Sequence, residues 1–172
     1  MKRTLLWLVA AGAFVTLAYA QTVIVRGAVG FGFAGAPDTE RPNARFDFSV
    51  QEVVYGNQSR LFGGFAIEVR SENAITVVHL ARVERVSVDA AEGTASFSGR
   101  GWAVQRTRQG VRRVQGIVSV SVEDNRDPRA TEGDPDTLTV EFRTEPDTDP
   151  VFTYAGVVKR GDISVFERTR SR

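Results

Sequence analysis

Ala44-Arg45-Phe46-Asp47-Phe48-Ser49-Val50-Gln51 alternates apolar and polar side chains without a break. Successive side chains leave an extended strand on opposite faces, so this stretch has one dry face and one wet face. The same period of two recurs along the chain. Val23, Val25, Val29, Phe31 and Phe33 alternate with small or polar neighbours ahead of it, and Leu61, Phe65, Ile67 and Val69 continue it. Val114, Val118, Val120 and Val122, then Leu138, Val140 and Phe142, repeat it further on. Turn chemistry separates these runs at Gly56-Asn57, Ser71-Glu72-Asn73, Glu92-Gly93, Gln109-Gly110 and Arg160-Gly161-Asp162. After residue 20 no window shows a helical stripe. The pattern predicts an all-β, single antiparallel domain of eight or nine strands.

Glycine also falls inside the strand runs, at Gly27, Gly30, Gly32, Gly63, Gly64, Gly99, Gly101, Gly116 and Gly156. A strand glycine weakens packing and so marks a bend, a bulge or a close approach of backbone. Phenylalanines sit beside several of them. Tightly coiled strands closing on a Phe-rich interior need that combination, which favours a small closed or nearly closed barrel over a two-sheet sandwich.

The first twenty residues read as a secretory signal peptide. Lys2 and Arg3 give a positive start, residues 5–17 an apolar run, and Ala18-Tyr19-Ala20 a small-x-small cleavage signal. The run is shorter than the ~20 residues that span a bilayer, so residues 1–20 are expected to be cleaved, leaving no membrane span in residues 21–172. Cleavage turns the net charge from +1 to −1, because it removes Lys2 and Arg3. No overall field then favours nucleic acid or an anionic membrane. The chain has no cysteine, which removes disulfides, thiolate catalysis and thiolate metal sites together. A transmembrane β-barrel shares the leader and the alternation. Its two aromatic girdles would have to come from Tyr55, Trp102 and Tyr154 alone.

Five features of the sequence bear on chemistry. His79 is the one histidine, in the strand-like run Ile75-Thr76-Val77-Val78-His79-Leu80, and no serine or carboxylate is marked by spacing as its partner. It reads as a strand histidine on the wet face or at a barrel rim. Residues 123–136 gather six carboxylates and one carboxamide. Asp124, Asn125, Asp127, Glu132, Asp134 and Asp136 are the candidate oxygen ligands for calcium, which takes six to eight of them. The spacing is not that of an EF-hand, and Arg126 and Arg129 lie among the acids, so a solvated interstrand loop is the competing reading. No other cofactor is implied. Arg106, Arg108, Arg112 and Arg113 flank Gln109-Gly110, either as an anion-binding knuckle or as a solvated basic hairpin. Gly30-Phe31-Gly32-Phe33-Ala34-Gly35 is a strand and not a nucleotide cradle, since no helix follows it. Paired carboxylates for glycoside hydrolysis are not singled out anywhere.

Several motifs in order resemble one family. They are Gly30-Phe31-Gly32-Phe33, then Thr94-Ala95-Ser96-Phe97-Ser98-Gly99-Arg100-Gly101, then Val120-Ser121-Val122-Glu123-Asp124-Asn125, which leads through a loop to Gly133-Asp134-Pro135-Asp136-Thr137-Leu138-Thr139-Val140. Tyr154-Ala155-Gly156-Val157-Val158-Lys159-Arg160-Gly161-Asp162-Ile163-Ser164-Val165 closes the set. This resembles the post-COAP type of β-domain found in exported bacterial proteins. The resemblance implies an extracellular, antiparallel, non-catalytic accessory domain in which the Asp-Asn turn and the Gly-Asp-x-x-Thr stretch are structural. Phe166 departs from the pattern, where a polar residue is common.

The expectation is therefore a secreted, periplasmic or extracellular, non-enzymatic β-domain. It would act as a structural or interaction module on an envelope or extracellular protein or glycan. The alternative is a carrier holding an apolar molecule or sugar among Phe31, Phe33, Phe46, Phe48, Phe65 and Phe97. An enzyme with dispersed carboxylates is a third reading.

Overall fold

Eight strands, each hydrogen-bonded to its sequence neighbours, close into one antiparallel barrel in the order β1 to β8, with β1 also pairing β8. The computed structural model describes residues 22–125 and 133–171. The signal peptide read at residues 1–20, and Asp127 and Glu132 of the acidic loop, lie outside them. The strands are β1 (Thr22–Gly35), β2 (Ala44–Tyr55), β3 (Gln58–Arg70), β4 (Ala74–Asp89), β5 (Thr94–Thr107), β6 (Gly110–Glu123), β7 (Thr137–Arg143) and β8 (Phe152–Ser171).

Local chemistry sets most of the turns. Gly56 and Gly93 take left-handed backbone angles, φ +54° and +66°, in the β2–β3 and β4–β5 connections. In the latter, Asp89 Oδ1 accepts the amides of Ala91 and Glu92 at 3.1 Å each. These two hairpins and the β6–β7 connection lie at one rim, here the lower; the β1–β2, β3–β4, β5–β6 and β7–β8 connections lie at the upper.

The alternation of β2 is realised as read: Ala44, Phe46, Phe48 and Val50 are buried, and Arg45, Asp47 and Ser49 are exposed. Inside, Phe48 lies 6.2 Å from Phe46, 6.0 Å from Phe65 and 5.4 Å from Phe97, all tilted. Val78, Leu80, Val118, Leu138, Val140 and Ile163 complete the interior at zero exposure. Tilted rings at these distances add about 1 kcal/mol per pair to the burial itself. Apolar side chains thus fill the interior while most charged side chains face outward; Arg26 and Glu52, ion-paired at 2.7 Å near the lower rim, share the inward register. A membrane-spanning barrel has the opposite sidedness.

β1 reverses the expected face. Ala28, Gly30 and Ala34 point inward, while Phe31 and Phe33 stand on the outer wall. The neighbours explain why: a Cβ at Gly30 would lie 2.5 Å from Cε1 of Phe48 and 3.1 Å from Cγ1 of Ile163. Those side chains occupy the space that β1 leaves. Phe31 and Phe33 therefore do not line the interior.

β8 corrects a second expectation. Arg160-Gly161-Asp162 is no turn, because β8 runs through it with β1 alongside. The register slips between Phe33 and Ala34, which pair with Arg160 and Val158 and leave Lys159 as a bulge. The count is accordingly eight strands. The pairing of β3 with β4 covers only residues 65–70 with 75–80. Register shifts in β4 after Leu80 and after Val83 bend its lower half.

Candidate functional site

The acidic loop begins and ends on carboxylates that fasten β8. Asp136 is 3% exposed, the one buried charged side chain among the described residues. Its Oδ1 accepts the amide of Asn125 at 3.0 Å and its Oδ2 the amide of Ile163 at 3.0 Å. Its carbonyl accepts the amide of Val158 at 2.8 Å. Asp124 Oδ2 accepts the amide of Val165 at 3.0 Å, and the Asp124 amide bonds to the Gly93 carbonyl at 2.8 Å. Ile163 and Val165 are two apart on β8, so their amides leave the same edge. β7 begins only at Thr137, and the two aspartates take the place of a ladder partner beyond it. Asn125 Nδ2 donates to the Pro135 carbonyl at 3.2 Å, and Asp134 is exposed. Thr137 donates to Glu123 at 2.9 Å. Among the described residues no three His, Asp or Glu side chains converge as metal ligands. Of the six calcium candidates, Asp124, Asn125 and Asp136 are thus drawn together by backbone amides.

His79 lies on the outer wall, opposite Trp102 in the β4–β5 ladder. The two rings stack 4.9 Å apart at 10°, and the Arg113 guanidinium sits 4.8 Å from the centre of Trp102. Trp102 therefore carries neighbours from β4 and from β6, a cation–π contact among them. The His79 Nδ1 atom is buried without a hydrogen-bond partner among the described residues. The arginines read as a knuckle do not converge. The register places Arg106 and Arg113 on the outer face and Arg112 on the opposite one.

The third feature was missed in the sequence. Phe31 and Phe33 are 65% and 44% exposed, although β1 lies between β8 and β2 in the wall. Phe33 stands between Arg45 on β2 and Arg160 on β8; Phe31 stands between Asp47 and Asp162. A pair of large apolar side chains is thus held on hydrogen-bonded strands and bracketed by one level of cations and one of anions. A shallow hollow of about 350 Å³ adjoins Phe33, lined by Pro42, Asn43, Arg45, Glu68 and Arg70. The alternation of Val29, Phe31 and Phe33 was the available signal, but it marks both a core face and a displayed one. At the lower rim a larger trough of about 670 Å³ lies between the β2–β3 hairpin, at Glu52, Ser59 and Leu61, and β4 at residues 84–87. Comparison with protein-family models, curated proteins and solved structures finds no match to this chain.

Proposed function

We propose that this protein is an exported, non-enzymatic β-domain that works as an interaction module at the cell envelope, engaging its partner through the outer wall of β8, β1 and β2. One observation carries the reading: the barrel interior is filled by its own side chains, while Phe31 and Phe33 are displayed on the central strand of that wall. Exposed apolar clusters rimmed by charge mark interaction surfaces. A wall strand is rigid, so binding there orders few side chains and loses little entropy. The leader pattern of residues 1–20 supports export, and the resemblance to post-COAP type domains supports an accessory role outside the cytoplasm. The carrier reading draws less support. Four of the six phenylalanines assigned to it touch one another in the core, and the other two face outward.

The test places a photo-crosslinking side chain at Phe31 in the protein exported by its own host. A single discrete adduct is expected, lost on Asp47→Arg and not formed when the probe sits at the exposed Ser96 on β5, across the barrel from β1. No adduct at position 31, or turnover on a hydrolase panel abolished by a point change, overturns the reading.

A further inference from the structure

The displayed phenylalanines and the charges around them form a self-complementary pattern. At the level of Phe33 the wall reads Arg160, Phe33, Arg45 across β8, β1 and β2; at the level of Phe31 it reads Asp162, Phe31, Asp47. Gly32, opposite Gly161, separates the two levels on β1. A two-fold axis lying just outside the wall, parallel to it and crossing the strands at the level of Gly32, brings a second copy face to face. It keeps each strand over its own counterpart and exchanges the levels. Phe33 then meets Phe31 of the other copy, Arg45 meets Asp47, and Arg160 meets Asp162, each contact made twice. This is the condition for an isologous interface.

We infer that the partner seated on this wall is a second copy of the same chain, paired about that axis. The inference rests on the proposed role of the wall and names its occupant. Charge order selects this partner: a surface presenting one sign of charge would satisfy only one of the two levels, whereas the chain's own wall satisfies both. β3 extends the pattern without conflict, since Glu68 beside Arg45 comes over the small Ala66 beside Asp47. Four strands about 4.8 Å apart and six residues of about 3.4 Å cover roughly 400 Å² in projection. That is below the ~800 Å² per partner of a standard interface, which places the dimer among weak, transient encounters expected to form at about micromolar or higher concentration.

Sedimentation velocity on the chain from Gln21 onward, from about 5 to 500 μM so as to bracket that range, provides the test. The unaltered protein is expected to shift from monomer to dimer with concentration. Asp47→Arg and Arg45→Asp are each expected to weaken dimerisation by roughly tenfold or more. Mixed in equal amounts, the two variants regain a dimer, because the reversed position of each faces its opposite on the other. The double charge exchange R45D/D47R also regains it, which shows that neither single variant fails through misfolding. A protein that stays monomeric to the highest concentration overturns the inference, as does a dimer indifferent to these charges. In that event a crosslinked adduct at Phe31 of a mass other than twice the chain leaves the interaction-module reading standing; absence of both removes both.

Discussion

At Gly30 a single added methyl group would press into the ring of Phe48, and that one contact explains why the largest side chains of β1 face outward. Alternation reveals that a strand has two faces. Which face is dry depends on how much space the neighbouring strands leave, and Phe48 and Ile163 belong to β2 and β8. The phase of β1 was therefore not legible from its own residues, whereas that of β2, with Arg45, Asp47, Ser49 and Gln51 on every second position, was. Tyr154 gives the pH prediction at this scale. Its hydroxyl donates to Asn43 Oδ1 at 3.3 Å, and burial pushes the phenol from 10.0 up to about 12. The folded state holds this proton more tightly than the unfolded chain. The resulting contribution is complete below pH 10 and is lost as the pH rises through 12. Denaturant titrations are expected to show stability falling over that interval, and Tyr154→Phe to remove part of the fall. An identical decline in both proteins would refute the assignment.

β8 shows how an element is held by groups far away in sequence. Its amides at Ile163 and Val165 are met by Asp136 and Asp124, 27 and 41 residues earlier. Spacing within residues 123–136 offers oxygen ligands for an ion and shows that acids are close together. It does not show that a strand edge from the end of the chain will come to them. The break expected at Arg160-Gly161-Asp162 failed for a related reason. Turn residues describe local preference, and the continuous partner β1 overrides it by absorbing Lys159 as a bulge. Asp136→Ala leaves two amides without their charged acceptor and should lower unfolding free energy by about 3 kcal/mol. Asp136→Asn, which keeps one oxygen, should lose less. Chemical denaturation of the two variants checks the order; equal and negligible losses would show that the loop does not hold β8.

For the molecule as a whole, the period of two, the hairpin turns and the absence of a helical stripe were sufficient to anticipate an all-β barrel, because each is a local signal. Closure is not local. The β3–β4 ladder spans only residues 65–70 and 75–80, and the lower halves of these strands have no ladder between them. Amides at the seam in residues 58–64 and 81–89 are expected to exchange with solvent at least ~100-fold faster than those of residues 65–70. Equal protection along β3 would show that the seam is sealed. The other closure has a different consequence. Residues 22–35 of β1 pair with residues 157–171 of β8, the first described strand with the last. Loop-closure entropy opposes so distant a pairing, which slows folding. A chain delivered from its amino end, whether by a ribosome or through an export channel, holds β1 with one edge unmatched until its final strand emerges. The barrel can be completed only after release, so β1 waits longest for its second neighbour and is the strand a chaperone would have to shield.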